Sequence, residues 1–150
     1  MHFQSTRNPK DRTKLADAMT RGLAPDGGLY IPKSLPSIKA DALAPSAPLA
    51  EIAGAVLEAF FAGDSLAKCL TEIAAEAYDF PAPLTPLRGG REPLEVLELF
   101  HGPTAAFKDF GARFLAASLS RLQSSAQITT IVLATSGDTG SAVAAAFHGR

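Results

Sequence analysis

The sequence feature that most constrains the fold is a strand–loop–helix pattern that occurs twice between residues 94 and 148. The apolar run at 94–100 is short and bounded by turn-forming residues, which predicts a buried strand. A loop with glycine and proline interrupts it, and an amphipathic helix begins near Phe107. A second apolar run at 128–134, rich in β-branched residues, precedes another glycine-containing loop and an alanine-rich helix. Strands that alternate with helices predict the α/β class, with a parallel sheet covered by helices.

The residues before position 80 have a mainly helical pattern instead. Apolar spacing, caps and stop signals predict one short strand at 29–31 and three helices, at about 11–21, 48–61 and 64–77. The stretch 80–93 holds six prolines and glycines, too many for a regular element. We therefore predict a helical amino-terminal lead domain at 1–80 and the start of a parallel-sheet domain at 81–150. Because two parallel strands cannot bury both faces of a sheet, we expect that second domain to be incomplete.

Lys108 lies in the first turn of the predicted helix, just after a predicted strand. The positive end of the helix dipole repels a cation there, so this is an unusual position for a lysine. One interpretation is an exposed surface lysine whose charge is offset by Asp109. The other is a poorly solvated amine that is neutral more often and acts as a nucleophile. Position alone leaves both interpretations open.

The second loop, at 136–140, is rich in hydrogen-bond donors. Its glycines allow the backbone to approach an anion closely, and the first N–H groups of the following helix point toward such a ligand. Ser136 and Thr139 add two hydroxyl groups. The spacing matches neither the dinucleotide fingerprint nor the P-loop, so an ordinary helix cap explains the pattern equally well. Both loops follow predicted strands, and ligands bind beyond the carboxyl ends of parallel strands.

Composition excludes several classes of partner. The chain has 14 basic and 15 acidic residues, so no net charge favours nucleic acid or an anionic membrane. Neither a signal peptide nor an apolar stretch of about 18 residues, as a membrane span requires, is found in the sequence. Cys69 is the only cysteine, which rules out a disulfide within the chain and predicts a cytoplasmic protein. We interpret Cys69 as a small, buried, apolar side chain on a helix.

Other candidate residues favour structural roles. His101, beside a Gly-Pro pair, is more typical of a residue that fixes a loop by hydrogen bonding than of a catalytic acid or base. Arg7 and Arg113 have the chemistry to bind a phosphate, but structural roles are the better prediction for both. His2 and His148 have no partners at metal-ligand spacing, so we predict no metal site.

Four segments together resemble a known family. ELFHGPTAAFKDFG (98–111) and ATSGDTGSAV (134–143) resemble the threonine synthases, and so do FQSTRNPKD (3–11) and GLAPDGGLYIP (22–32). That family belongs to the pyridoxal-phosphate enzymes that share the fold of the tryptophan synthase β subunit. The resemblance implies that Lys108 is the catalytic residue and carries pyridoxal 5′-phosphate as an imine. It also implies that Phe107 and Asp138 contact the cofactor, Asp138 near its ring hydroxyl. The residues implied to bind the substrate carboxylate are Ser136, Gly137, Thr139 and Gly140.

The reaction that the resemblance implies is the conversion of O-phospho-L-homoserine and water into L-threonine and phosphate. The glycine-rich cup for the cofactor phosphate is expected outside these residues, so we predict that residues 1–150 alone are inactive. Two alternatives stay open: a related pyridoxal-phosphate lyase or dehydratase, and a noncatalytic fragment of such an enzyme. The sequence does not determine the oligomeric state.

Overall fold

A computed structural model describes residues 1–38, 43–44, 46–89, 93–123, 128–135 and 137–150. These residues form helices and two small sheets, in which the helices predominate. The α-helices are α1 (Leu15–Arg21), α2 (Leu49–Phe61), α3 (Leu70–Ala77), α4 (Lys108–Leu122) and α5 (Asp138–Phe147), with a 3-10 helix at Ser65–Cys69 before α3. The strands are β1 (Phe3–Ser5), β2 (Tyr30–Pro32), β3 (Leu84–Pro86) and β4 (Glu95–Leu97).

Both sheets are two-stranded and antiparallel. β1 pairs with β2, with Phe3 opposite Pro32, which confirms the strand predicted near 29–31 to within one residue. β3 pairs with β4, with Leu84 opposite Leu97. The prediction that 80–93 holds no regular element is therefore wrong. Pro86 is tolerated there because each strand of a two-stranded sheet keeps one open edge, where a missing N–H costs little.

The predicted parallel sheet is not formed by the described residues. The run at 94–100 contributes only β4, whose partner is the strand immediately before it in the chain. Residues 128–134 are described but form no strand, and Ile128 and Val132 are 97% and 87% exposed. A strand needs a hydrogen-bonding neighbour as well as an apolar sequence, and no described segment pairs with 128–134. The prediction of a buried strand there is wrong for this structure.

The helices agree closely with the sequence patterns. The helix predicted at 11–21 begins four residues later, at Leu15, and Gly22 ends it with φ +73°. Asp64 caps the next helical segment as predicted, because its side chain accepts a hydrogen bond from the Leu66 amide. That segment begins as a 3-10 helix and continues as α3, and half-buried Cys69 joins the two and packs against the core.

The main core joins the amino-terminal elements to α4. Its buried members come from β1, α1, α2, the 3-10 helix, α3 and α4: Phe3, Leu15, Phe61, Leu66, Leu70, Ile73 and Ala117. Phe114 of α4 packs edge-on against Phe61 and stacks on Tyr78, with ring centroids 5.9 and 6.0 Å apart. Edge-on and stacked rings stabilise beyond the area they bury. The apolar face of this amphipathic helix, which includes Phe114, is thus its contact with the helices before it.

A second face of α4 packs against α5 through alanines. Ala112 and Ala116 of α4 contact Ala142 and Ala146 of α5, and all four are buried. Each pair is four residues apart, so each forms a stripe along one side of its helix. Because alanine has only a methyl side chain, the two helices pack closely. The apolar pattern of the sequence did not indicate this face, since it emphasised the large side chains.

Helices α4 and α5 run parallel. Arg121, near the end of α4, and Arg150, just after α5, both form ion pairs with Glu76 of α3. The carboxyl ends of the two helices therefore lie on the same side. In an antiparallel pair, Arg150 would lie near the start of α4, about 20 Å along the helix from Arg121. That is too far for both arginines to reach one carboxylate. The amino ends, where both candidate loops lie, consequently share the opposite side.

Within the described residues, none of the helices has both the length and the apolar character needed to cross a membrane.

Asp64 holds the start of α1 to the start of the 3-10 helix. Its buried carboxylate accepts hydrogen bonds from the Ala16 and Leu66 amides, each at 3.1 Å. We expect Asp64→Ala to lower the free energy of unfolding by about 2–3 kcal/mol in urea titrations, because two helix amides lose a charged acceptor. The control is Asp17→Ala, an exposed acid of α1 that should cost about 0.5 kcal/mol. Equal losses in both variants would contradict this role.

Candidate functional site

Lys108 is the first residue of α4 and is half-buried. Its Nζ lies 4.4 Å from the centroid of the Phe107 ring, a cation–π distance. Among the described residues, no carboxylate oxygen lies within the 4.0 Å of an ion pair to this amine. Asp109 therefore forms no ion pair with Lys108, because the Asp109 carboxylate binds Thr104 instead.

Asp109 instead organises the loop that precedes Lys108. Its side chain is fully buried, and its two oxygens accept from the Thr104 amide at 2.9 Å and from the Thr104 hydroxyl at 2.7 Å. Gly102 lies directly against the same carboxylate, since a Cβ added there would come within 2.5 Å of Oδ2. Ala105 has φ +54°, a value uncommon outside glycine. The sequence analysis did not identify Thr104 or Asp109 as a pair. The sequence signal for this pair is a threonine five residues before an acid in the first turn of a helix.

The second loop leads into α5 under a threonine cap. Thr135 Oγ1 accepts from the amides of Gly137 and Gly140, each at 3.2 Å. Gly137, Asp138 and Thr139 are exposed, and Gly140 is half-buried. The fourth predicted substrate residue, Ser136, lies outside the described residues. The sequence does not single out Thr135, because it lies two residues before Gly137, the residue that immediately precedes α5.

The structure brings the two loops to the same end of the helix pair. Lys108 precedes Ala112 by four residues on α4, and Asp138 precedes Ala142 by four on α5. Residues four apart lie on one helix face, so both residues continue the alanine stripes through which the parallel helices pack. Phe107, whose ring lies against the Lys108 amine, has 57% of its surface exposed. In the exposed first turn of α5, Thr135 binds the amides of Gly137 and Gly140. The amides of Asp138 and Thr139 have no acceptor among the described residues, which suits an anionic ligand.

His101 and Glu98 form a hydrogen-bonded pair near β4. His101 Nε2 lies 2.6 Å from Glu98 Oε2, and the Thr85 hydroxyl donates to Glu98 Oε1 at 2.8 Å. The hydrogen bond from His101, and then that from Thr85, lower the pKa of Glu98 from its ordinary value. These contacts join β3 to the loop before α4, in agreement with a loop-fixing role for His101.

The two candidate arginines bind the protein itself. Arg113 donates to the backbone oxygens of Glu76 and Ala77 at the end of α3, and it pairs with Asp79 at 2.7 Å. Arg7 donates to the backbone oxygen of Asp26 at 3.1 Å. Both contacts support the structural roles favoured from the sequence.

Gly140 and Thr135 allow a direct test of the α5 cap. A Cβ on Gly140 would come within 2.5 Å of Thr135 Cγ2. We expect Gly140→Ala to lower the free energy of unfolding by about 1 kcal/mol, because the threonine must move and lose its hydrogen bonds. In a Thr135→Ser background the methyl group is absent and the hydroxyl is kept. There Gly140→Ala should raise stability by about 0.5 kcal/mol through its higher helix propensity. The same sign in both backgrounds, measured by urea unfolding, would contradict the cap.

Comparisons with known proteins agree on one family. The family model described as "Threonine synthase N terminus" matches residues 2–78. The threonine synthase of Haemophilus influenzae is 39% identical over 149 residues, which is 99% of this chain and 34% of that protein. The chain thus spans about a third of the length of the curated relatives it matches.

Solved structures give the same result. A structure of threonine synthase from Escherichia coli superimposes with a TM-score of 0.84 at 35% identity, over 99% of this chain and 34% of that one. A threonine synthase from Brucella melitensis, solved with PLP bound, gives a TM-score of 0.83 at 40% identity, over 100% and 33% of the two chains. These matches confirm the resemblance predicted from the sequence.

Proposed function

This chain belongs to the threonine synthase family, and on that premise we propose that it supplies the cofactor lysine and part of the substrate site of a pyridoxal-phosphate-dependent threonine synthase. The observation that carries the proposal is the position of Lys108. Its amine is free of any carboxylate among the described residues, and it begins α4 at the end of the helix pair where α5 also begins.

The residues at this end have the chemistry that the cofactor requires. An aldehyde cofactor bonds to a neutral amine, and a carboxylate paired with Lys108 would favour the charged form instead. The exposed Phe107 ring offers an apolar surface beside the amine. The exposed first turn of α5 offers the backbone N–H groups of Asp138 and Thr139, which have no acceptor among the described residues, as donors for a substrate carboxylate. Asp138 is the proposed partner of the cofactor ring hydroxyl, and Ser136, Gly137, Thr139 and Gly140 are the proposed carboxylate contacts.

The proposed reaction converts O-phospho-L-homoserine and water into L-threonine and phosphate. The cofactor, when bound, supplies an electron-withdrawing ring that stabilises negative charge on the substrate carbons. Lys108 binds the cofactor covalently, and once released by the substrate amine it moves protons at the substrate α and β carbons. The loop at 136–140 orients the substrate by its carboxylate. A cytoplasmic location remains a prediction from the single cysteine.

Residues 1–150 alone should not complete this reaction. The apolar run at 128–134, which follows α4 and leads into the second loop, is largely exposed and unpaired among the described residues. The loop at 136–140 follows this segment, and without a paired strand before it the loop is not positioned as accurately as catalysis requires. We expect no phosphate release from O-phospho-L-homoserine by this polypeptide in the presence of pyridoxal phosphate. Turnover that survives purification to homogeneity would refute this prediction.

A chimera tests the assignment of Lys108. Residues 1–150 would replace the matching third of Escherichia coli threonine synthase, which is 36% identical over 151 residues. We expect the chimera to show a visible absorbance with pyridoxal phosphate that borohydride removes, and to release phosphate from O-phospho-L-homoserine. Lys108→Ala should abolish both, because the covalent link is lost. After borohydride reduction, peptide mapping should find the cofactor on Lys108.

Lys68→Ala serves as the matched control. Lys68 is an exposed lysine of the 3-10 helix and has no place in the proposed site. Its variant should keep the absorbance and the activity of the chimera. Cofactor attached to another lysine, or retained in Lys108→Ala, would overturn the assignment. Activity on a hydroxy-amino acid without activity on the phosphate ester would favour the lyase or dehydratase alternative.

A further inference from the structure

We propose that Thr104 and Asp109 are positioning residues for Lys108: by binding each other, they hold the carboxylate next in sequence away from the lysine amine and fix the start of α4. The proposal extends the proposed function, since it concerns the amine that would carry the cofactor. It gives a structural role to Asp109, a buried acid that takes no part in the proposed reaction.

The carboxylate is held on two sides. Thr104 donates to both of its oxygens, from the backbone amide at 2.9 Å and from the hydroxyl at 2.7 Å. Both bonds are charge-assisted, and such bonds are stronger than bonds between neutral groups. Gly102 packs so closely that a methyl group there would lie 2.5–2.9 Å from three atoms of the Asp109 side chain. The side chain is also fully buried, so water does not replace these contacts.

The arrangement has a direct consequence for Lys108. An acid adjacent to a lysine in the first turn of a helix is free, if exposed, to turn toward the amine and stabilise its charged form. Here the acid is turned into the loop instead, and the lysine amine lies over the Phe107 ring. Thr104→Val removes the Thr104 hydroxyl and nearly preserves the shape of the side chain. Without the hydroxyl, one Asp109 oxygen loses its partner, and a buried charge without a partner is costly. The carboxylate then gains by pairing with a cation, and the cation nearest to it in sequence is the amine of Lys108.

Competitive amine labelling measures this effect without any cofactor. Trace acetic anhydride would be added to the protein between about pH 7 and about pH 11, a range that includes the ordinary titration of lysine. Mass spectrometry of the peptides then gives the labelling rate of Lys108 relative to Lys33 and Lys68, two exposed lysines outside the loop. The variants are Thr104→Val, which removes the hydroxyl, and Thr104→Ser, which keeps it.

We expect Thr104→Val to lower the relative labelling of Lys108 by about two- to five-fold near neutral pH, the range of an ion pair at a partly exposed site. The difference should shrink to less than about two-fold at about pH 11, where lysine amines are mostly neutral. Thr104→Ser should behave as the wild type. A loop that merely covers the amine would slow labelling at every pH, so the pH profile separates positioning from a steric effect.

Two results would overturn the proposal. One is an unchanged Lys108 rate in a folded Thr104→Val protein. The other, which needs no variant, is rapid hydrogen exchange of the Thr104 amide in the wild type, at the rate of an unprotected loop. The second measurement decides the matter if Thr104→Val does not fold. Because labelling uses no cofactor, these results do not depend on the chimera experiment. A chimera without the visible cofactor absorbance would overturn the proposed function but would say nothing against the Thr104–Asp109 contact.

Discussion

The alanine contact between α4 and α5 is the interaction on which the candidate site depends. Small side chains allow two helices to approach to the short end of the usual axis separation of about 8–10 Å. Because the helices run parallel, this single contact brings the starts of both to one side. Lys108 and Asp138 are 30 positions apart in sequence (138 − 108), yet each lies one turn before a buried alanine of the same contact. The position of the candidate site therefore depends on a packing surface made of alanines.

The remainder of the structure holds α4 in place. Its aromatic face packs against the amino-terminal core, and Arg113 and Arg121 bind the last turn of α3 from two positions on α4. Glu76 forms ion pairs with Arg121 of α4 and with Arg150 after α5. Burial of the carboxyl acts to raise the pKa of Glu76, but the hydrogen bonds from the two arginines together outweigh it, so the pKa is lowered. The amino-terminal residues thus act as the support against which α4 and α5 are oriented.

Helices and strands differ in how well the sequence predicted them. Each helix is stabilised by hydrogen bonds within its own segment, so apolar spacing and caps such as Asp64 and Gly22 located the helices to within a few residues. A strand depends on a partner that its own sequence does not identify. The run at 128–134 has the composition of a strand but no partner among the described residues. Residues 84–86 lie in a proline-rich stretch, and they form a strand because β4 pairs with them. The domain boundary near residue 80 stays a prediction.

The sequence by itself determined the family, the helices and the identity of the candidate lysine, because these depend on local spacing and on motifs that are contiguous in the chain. Only the tertiary structure decided what surrounds that lysine. It showed that Asp109 turns away from Lys108 to bind Thr104, that Thr135 caps α5, and that Arg113 binds the protein rather than presenting itself to a ligand. The physical reason is that a polar side chain takes the partner that folding brings nearest, and a sequence lists residue types without their distances.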